Sequence, residues 1–255
     1  MNRNGSDKNH VLGIDIGGTG IKVAPVDLSS GKLLSDPQKE ATPRPATPDT
    51  MIPVVEKLVN HFQWEGTIGC GFPGIVKRGI IYSAANLDDG WLEFPLRDKL
   101  SKRFSLPISL INDADAAGLA ELKFGVGKKW SEPGSGVVLF FTLGTGIGSA
   151  IFLDGKLLPN TEFGHMELRG KDAEEWAATV VQEKENLSWE EWGKRVNEFL
   201  LKMEFLFSPD VIIIGGGISE DPQKFFPYLT LETEILAARM ANEAGIVGAA
   251  MSSRI

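Results

Sequence analysis

The chain has 255 residues, of which 42% are hydrophobic and 24% are charged, with a net charge of −8 and a single cysteine. This composition excludes a disordered, collagen-like or coiled-coil protein, and one cysteine excludes an intramolecular disulfide and a multi-thiolate zinc site. The acidic balance argues against a nucleic-acid partner, and neither a signal peptide nor a membrane-spanning run is found. We therefore expect a cytoplasmic protein that binds no nucleic acid and no membrane.

The chain opens with a predicted β-hairpin. An apolar strand from Val11 to Ile16 runs into the turn Gly18-Thr19-Gly20, and a second strand leads to a turn at residues 27–31. Matched order and spacing about half a chain later indicate that the hairpin has been duplicated. Glycine in these bends is expected to supply positive φ and close backbone approach. The second copy consists of strand 137–143, turn 144–146 and turn 154–155.

Strand and helix patterns alternate through the rest of the chain. Thr47-Pro48 opens a helix, and Ser188 with Glu191 forms a capping box ahead of an amphipathic helix. This alternation predicts an α/β protein in two related halves with a cleft between them. Further strands are predicted at 68–72, 108–111 and 211–214, and further helices at 114–124 and at 231–250, the last broken near Gly245.

Three glycine turns, each at the end of a predicted strand, are candidate phosphate sites. Consecutive glycine N–H groups form an anion-binding concavity, to which a hydroxyl and an ammonium add donors. The alternative is ordinary turn chemistry beside a surface aspartate. Asp15, just before the first turn, is a candidate to hold hydrated Mg²⁺ against phosphate oxygens. The turns supply Gly17, Gly18, Thr19 and Lys22, then Gly144, Thr145 and Gly146, then Gly215 and Gly216.

Asn112 and Asp113 follow the strand predicted at residues 108–111. A carboxylate at the end of such a strand opens into a cleft in α/β sheets, where Asp113 is placed to take a proton from an attacking hydroxyl while Asn112 orients the substrate. The alternative is helix capping, for which aspartate is also favoured. Because Asp115 is present as well, one aspartate is free to cap the helix while the other acts on a substrate.

Glu162, His165 and Glu167 form a polar group after the second hairpin. On a turn these side chains can converge on a polyhydroxyl ligand, with the carboxylates accepting hydrogen bonds from hydroxyls. A metal site and a solvated turn are the alternatives. Asn86 lies upstream in NLDDGWLEFP together with Trp91, which is either a core residue or an aromatic platform for a sugar.

The motifs taken together resemble the ROK family of sugar kinases, within the actin-like/hexokinase superfamily. The segments that carry the resemblance follow the family's order over nearly the whole chain. LPNTEFGHME, LSWEEWGKRVNEFL and FSPDVIIIGGGIS are most similar to its polyphosphate glucokinase subgroup. The resemblance implies a duplicated two-domain α/β fold of the actin-like/hexokinase (ribonuclease H-like) type with an interdomain cleft, a Mg²⁺ requirement and a homodimer. The segments are DIGGTGIK, GFPG, NLDDGW, NDADAAG, TLGTGIG, EFGH and GGGIS.

The resemblance also implies roles for individual residues. Asp113 matches the catalytic base that deprotonates the sugar 6-hydroxyl, and Asp15 matches the Mg²⁺ side. The glycine turns match two phosphate loops and, at Gly215-Gly216, the loop that lies under a nucleotide in ATP-using relatives. The matching hexose ligands are Asn112, Asp113, Glu162, His165 and Glu167, with Gly74 and Asn86 as additions.

The stretch after EFGH departs from the family pattern. Most members carry a Cys-rich zinc motif there, whereas Cys70 is the only cysteine of this chain and lies far upstream. We therefore expect no structural zinc, and we expect His165 to contact the sugar. The domains are expected to comprise residues 1–113 with 240–255, and residues 114–239.

The resemblance implies Mg²⁺-dependent phosphorylation of glucose at the 6-hydroxyl, with polyphosphate as donor and ATP as a further donor. An ATP-only glucokinase, a sugar-responsive transcription regulator and a non-catalytic sugar-binding protein are the alternatives. Ten residues before Val11 are too few for a helix-turn-helix, which argues against the regulator. Basic candidates for contacts to a polyphosphate chain, each of which has solvation as its alternative, are Lys128, Lys129, Arg169, Lys171, Lys194 and Arg195.

Overall fold

The computed structural model describes residues 7–84 and 87–255 and divides into two compact units. The first unit comprises Met1–Ala120 with Glu243–Ile255, and the second comprises Glu121–Asn242. The helix Asp113–Phe124 runs from the first unit into the second. The domain boundaries predicted from the sequence, residues 1–113 with 240–255 and residues 114–239, remain a prediction.

A six-stranded sheet forms the centre of the first unit. Its edge-to-edge order is β3-β2-β1-β5-β8, with β4 also paired to β2. β1 is antiparallel to β2 and parallel to β5, which is parallel to β8. Strands β6 and β7 form a separate ribbon. The strands are β1 (His10–Ile16), β2 (Gly20–Asp27), β3 (Lys32–Leu33), β4 (Gln38–Ala41), β5 (Ile68–Phe72), β6 (Val76–Lys77), β7 (Ile80–Ile81) and β8 (Ile108–Asn112).

Helix α1 (Pro48–His61) begins where the sequence predicts, with Thr47 as N-cap and Pro48 in the first turn. The side chains of Thr47 and Thr50 complete a capping box, which satisfies N–H groups that the first helical turn leaves open. α2 (Leu96–Phe104) and α3 (Asp113–Phe124) flank β8 in the chain.

The last helix of the first unit packs against the sheet at close range. Gly13 and Gly69 lie against backbone carbonyls of Ile246 and Ala249, so that a Cβ at either glycine would overlap the helix. Close packing of backbone on backbone is a use that only glycine serves.

The sheet of the second unit repeats the strand order of the first. Its order is β11-β10-β9-β14-β15, with β9 antiparallel to β10 and parallel to β14, as β1 is to β2 and β5. The strands are β9 (Val137–Leu143), β10 (Ile147–Leu153), β11 (Lys156–Leu158), β12 (Glu167–Leu168), β13 (Lys171–Asp172), β14 (Val211–Gly215) and β15 (Glu234–Ala237). The remaining helices are α4 (Glu174–Ala177), α5 (Thr179–Lys184), α6 (Trp189–Phe207) and α7 (Ala244–Met251), the last in the first unit.

The capping box predicted for Ser188 and Glu191 is confirmed at the start of α6. Buried residues at helical spacing, including Trp192, Val196 and Phe199, face the core that covers the second sheet. Short 3₁₀ helices join the larger elements. They are Asp89–Trp91, Val126–Trp130, Phe163–His165, Gly217–Glu220, Pro222–Lys224, Phe226–Tyr228, Ala241–Glu243 and Ser252–Arg254.

Three expectations about local structure are wrong. Residues 231–250 are not one helix, because Glu234–Ala237 pairs as a parallel strand with β14. Gly245 lies inside α7 rather than at a break. A glycine is needed there because the carboxylate of Asp15 occupies the space of a Cβ. Positive φ occurs at Gly31 and Gly155 in the later turns, and not in the bends 17–20 and 144–146.

No helix in the described parts of the chain is both long and apolar enough to cross a membrane.

Candidate active site

In the first unit, the bend between β1 and β2 is closed by its own backbone and by two outside side chains. The Gly17 N–H donates to the Gly20 carbonyl at 2.9 Å. Thr42 Oγ1 donates to the Gly17 carbonyl at 2.6 Å, and Arg44 donates to the Gly18 carbonyl at 2.9 Å. Sequence reasoning did not single out Thr42 and Arg44, because nothing in their spacing ties them to the bend. The bend is therefore a preset loop, as a phosphate site requires.

Asp15 and Lys22 are partners across the β1–β2 ladder, with Lys22 Nζ 3.8 Å from Asp15 Oδ2. Only 19% of the Asp15 side chain is exposed, and the carboxylate lies against Gly245 of α7. Burial raises the pKa of Asp15 above its ordinary value, and the charge of Lys22 opposes that shift. A positive charge placed beside this carboxylate would favour its charged form.

One carboxylate can serve Mg²⁺, because this ion usually keeps several waters and binds through one or two carboxylates and substrate phosphates. Asp15 fits that requirement. Among residues 7–84 and 87–255, no group of three or more His, Cys, Asp and Glu side chains is arranged to hold a metal ion. Mg²⁺ at Asp15 therefore stays a prediction that depends on donor phosphates for the other ligands.

Asn112 ends β8, and Asp113 begins α3. Asn112 is 5% exposed, its Oδ1 accepts from the Asp115 N–H at 3.0 Å, and its Nδ2 donates to the Gly74 carbonyl at 3.1 Å. Asn112 thus caps α3, a role for which the sequence also offers the aspartates. The Asp113 Oδ1 accepts from the N–H of the next residue, Ala114, at 2.8 Å.

Gly74 is a structural support for this corner. A Cβ at Gly74 would overlap the Ser83 carbonyl, and the Gly74 carbonyl holds the Asn112 amide. The structure thus explains the glycine without a ligand. Asn86 lies outside the described residues. Trp91 is fully buried and donates through Nε1 to the Ala46 carbonyl at 2.8 Å, so the core interpretation of Trp91 is confirmed.

In the second unit, the bend between β9 and β10 is closed by the Gly144 N–H on the Gly146 carbonyl at 3.0 Å. The Gly144 carbonyl accepts from the Val180 N–H of α5 at 3.1 Å. Glu174 accepts from the Ile147 N–H at 3.2 Å and fills the space that a Cβ at Gly146 would take. Close approach, and not positive φ, therefore explains Gly146.

Glu162 carries an unused hydrogen-bond acceptor. It precedes the 3₁₀ helix Phe163–His165, and its Oε1 is buried with no hydrogen-bond partner among the described residues. Burial raises the pKa of the Glu162 carboxyl above its ordinary value; the charge of His165 opposes this shift and Glu174 adds to it. A buried acceptor without a partner is costly, so a ligand hydroxyl that donates to it would bind favourably.

His165 is held by Asp172, whose Oδ2 lies 2.8 Å from Nδ1. This hydrogen bond raises the pKa of His165 above its ordinary value; burial opposes the shift, while Glu174 and Glu162 add to it. The ring is therefore fixed in orientation and biased toward the protonated form.

Glu174, rather than Glu167, joins Glu162 and His165. Glu174 is among the charges that shift the pKa of both residues, and Glu167 is not. Glu167 is an exposed residue of β12. The prediction for Glu167 rested on spacing along the chain, whereas the β12–β13 ribbon brings the start of α4 back toward Glu162. The sequence contains no signal for Glu174 apart from its acidic side chain near EFGH.

The third glycine turn has a structural explanation. Gly216 has a φ of 84°, and a Cβ there would overlap the Leu143 carbonyl. A Cβ at Gly215 would press on the ring of Phe140. Both glycines are thus required by packing beside β9, and their contact with a donor stays a prediction.

Similarity to known proteins agrees with the motifs. Residues 11–179 match the ROK family. A polyphosphate glucokinase of Mycobacterium tuberculosis (strain CDC 1551 / Oshkosh) is 44% identical over 247 residues, which are 96% of this chain and 92% of the relative.

Solved structures give the same result. The inorganic polyphosphate/ATP-glucomannokinase of Arthrobacter sp. strain KM is 46% identical with a TM-score of 0.89, covering 96% of this chain and 98% of its own. A ROK family glucokinase of Streptomyces griseus, solved with glucose and AMPPNP, is 27% identical with a TM-score of 0.79, covering 95% and 98%. The predicted actin-like/hexokinase α/β fold is confirmed by these neighbours. On the family match and on this identity, the chain belongs to the ROK family.

Proposed function

We propose that this chain transfers a phosphoryl group from inorganic polyphosphate to the 6-hydroxyl of glucose, with ATP as a further donor. The observation that carries the proposal is the buried, unpartnered Oε1 of Glu162 beside His165 and Glu174. Carboxylates and an oriented imidazole suit an array of sugar hydroxyls. The names of relatives similar over 96% of this chain, a polyphosphate glucokinase and a polyphosphate/ATP-glucomannokinase, support the same donor and acceptor classes.

Asp113 would act as general base. The 6-hydroxyl oxygen forms a bond to the terminal phosphorus, the bridging P–O bond breaks, and the hydroxyl proton passes to Asp113. The donor leaves shortened by one phosphate. Asn112 caps α3 by accepting from the Asp115 N–H, so Asp113 is not the capping residue of that helix. Asn112, fixed through Gly74, would position the acceptor end of this step.

Phosphoryl transfer depends on positioning and charge neutralisation more than on covalent chemistry. The bends at Gly17, Gly18 and Thr19 and at Gly144, Thr145 and Gly146 would bind donor phosphates through backbone N–H groups, and Lys22 would add a positive charge. Mg²⁺ bound beside Asp15 would supply neutralisation of the leaving phosphate.

The chain would act in the cytoplasm as a homodimer. An exposed apolar patch on α6, formed by Leu201, Phe205 and Leu206, supports self-association, since Phe205 is 84% exposed. Contiguous apolar patches of this kind mark interaction surfaces. Sedimentation of wild type and Phe205→Ser tests it, with a monomer expected only for the variant.

The donor is tested by measuring glucose 6-phosphate formed by purified protein with Mg²⁺ and glucose, given either polyphosphate or ATP. Product from polyphosphate without nucleotide is the expected result. Product from ATP alone would instead make the chain an ATP-dependent glucokinase. Glucose binding without product from either donor would make it a non-catalytic sugar-binding protein. A panel that includes mannose then defines the acceptor.

A further inference from the structure

Three cations share one indole on the surface of the second unit. The Arg195 guanidinium carbon lies 4.0 Å from the ring centroid of Trp176, Lys171 Nζ lies 5.1 Å away and the Arg169 guanidinium carbon 5.3 Å away. Any two of these charges are thus within about 10 Å, the Debye length at 0.1 M salt, so they act together on an anion. We call Arg169, Lys171 and Arg195 around Trp176 the Trp176 cluster.

The Trp176 cluster is held in a fixed arrangement. Arg169 Nε donates to both Glu198 oxygens at 2.8 and 2.9 Å, and Trp176 Nε1 donates to Glu198 at 3.3 Å. Arg195 donates to Glu185 at 2.7 Å and only 16% of its side chain is exposed. A guanidinium ordered in advance loses less entropy when it binds a phosphate than a free surface lysine does.

The cluster continues into the second glycine bend. Trp176 belongs to α4, whose first residue, Glu174, bonds to Ile147 at the end of that bend. A cavity of about 230 Å³ is lined by Thr145 of the bend and by Lys184 and Glu185, and Glu185 is the partner of Arg195. The charge of Lys171 helps to lower the pKa of Glu185, which places Lys171 near the same carboxylate. Polar groups thus lead from Thr145 to the Trp176 cluster.

We propose that the Trp176 cluster binds the part of a polyphosphate chain that extends beyond the phosphates at the Gly144–Gly146 bend. The proposal rests on the proposed polyphosphate donor. An extended polyanion fits because the cluster offers several N–H donors from three cations. Arg195 covers the indole at 4.0 Å, so a nucleotide base has no face of Trp176 to stack on at that side.

The guanidinium groups of Arg195 and Arg169 donate to Glu185 and Glu198, and a phosphate chain would compete with these carboxylates. Bidentate phosphate binding is a strong form of charge-assisted hydrogen bond, which makes such an exchange favourable. Removal of a carboxylate should therefore strengthen donor binding, while removal of a cation should weaken it. An ordinary solvated ion pair would give neither effect.

The test compares Lys171→Gln/Arg195→Gln with Lys194→Gln. Lys194 is also a polyphosphate candidate of the sequence, but the structure pairs it with Glu190, exposed on the same helix as Arg195, and it is not part of the Trp176 cluster, so it serves as the control. The readout is the ratio of KM for long-chain polyphosphate to KM for tripolyphosphate. We expect this ratio to rise about tenfold in the double variant, which corresponds to about 1.4 kcal/mol. We expect no change in Lys194→Gln, and Glu185→Gln should lower the ratio.

Salt dependence separates binding from a structural effect. The dependence of log KM for long-chain polyphosphate on log salt should become shallower in the double variant, by about one unit per lost phosphate contact. Equal ratios and equal slopes in wild type, the double variant and Lys194→Gln would overturn the proposal.

Direct titration of long-chain polyphosphate onto the wild type keeps the two proposals apart. Product from polyphosphate together with equal binding by wild type and the double variant refutes the Trp176 cluster and leaves the donor intact. Failure of the wild type to bind or use polyphosphate, with ATP still giving glucose 6-phosphate, refutes the polyphosphate donor and the cluster with it.

Discussion

The bend between β1 and β2 and the bend between β9 and β10 occupy the same place in two sheets of the same strand order, but their chemistry differs. In the first unit the bend is closed by the pair Ile16 and Ile21, and the next pair is Asp15 and Lys22. In the second unit the closing pair is Leu143 and Ile147. The pair that follows is Thr142 and Gly148, which carries no charge.

The second unit obtains its charge from outside the hairpin. Glu174 reaches the bend from the start of α4. Glu162 and His165 lie between the bend and α4 in the chain. The two units thus share the hairpin backbone and differ in the charged side chains around the bend. The contrast agrees with the proposal, in which the base and the Mg²⁺ contact belong to the first unit and the sugar carboxylates to the second.

The largest effect is expected from Asp113→Asn. If the first unit supplies the general base, kcat should fall by about 10²–10⁴. The thermal unfolding midpoint should remain unchanged, because Asn112 caps α3. Asp98→Asn, an exposed first-turn aspartate of α2, serves as the control and should keep its kcat. Near wild-type kcat in Asp113→Asn would contradict the assignment.

Glu174→Gln tests the second unit. A lost charged hydrogen bond to a sugar hydroxyl costs about 1.5–3 kcal/mol, so KM for glucose should rise at least tenfold. Glutamine can still accept from the Ile147 N–H, which preserves the bend. Glu167→Gln is the matched control on β12. Equal KM values for the two variants would remove Glu174 from the sugar site.

Gly13→Ala tests whether the packing of α7 on β1 contributes to the stability of the first unit. The added Cβ would meet the Ile246 carbonyl, and overpacking of this kind costs about 1–3 kcal/mol of stability. Gly18 lies in the bend with open space around its Cβ position. Gly18→Ala should therefore change the free energy of unfolding by at most about 0.5 kcal/mol. Denaturant titration of both variants measures the difference, which should vanish if α7 can move aside.

The smallest effect is on the titration of His165. Asp172→Asn should lower the pKa of His165 toward its ordinary value, because the hydrogen bond to Asp172 is the largest cause of its rise. The stability from this pair is fully present below pH about 6.5 and is lost as pH rises through the raised pKa. The variant should lose that pH dependence. NMR titration of the His165 ring measures its pKa in both proteins. Asp7→Asn, which removes the carboxylate next to His10, is the control and should leave the titration of His165 unchanged.

Local signals made the hairpins, α1 and α6 predictable, because capping residues and apolar periodicity lie within a few residues of each other. The capping role of Asn112 was not predicted, because either an asparagine or an aspartate can cap a helix and only the fold places the Asn112 amide on the Gly74 carbonyl. Strand β15 was missed because its partner β14 lies about twenty residues upstream, beyond any local pattern. Glu174 was missed because only the fold brings its side chain to the bend, and no pattern within a few residues indicates this.

The packing of α7 has a consequence for how the protein is made. Residues 121–242 are continuous, so the second unit can complete its core during synthesis. The first unit begins earlier in the chain, yet Gly13 and Gly69 receive their helical cover only when residues 244–251 emerge from the ribosome. The strand that carries Asp15 therefore stays without its helical cover while the second unit is translated. Chaperone demand should fall on this early, unfinished sheet rather than on the unit made after it.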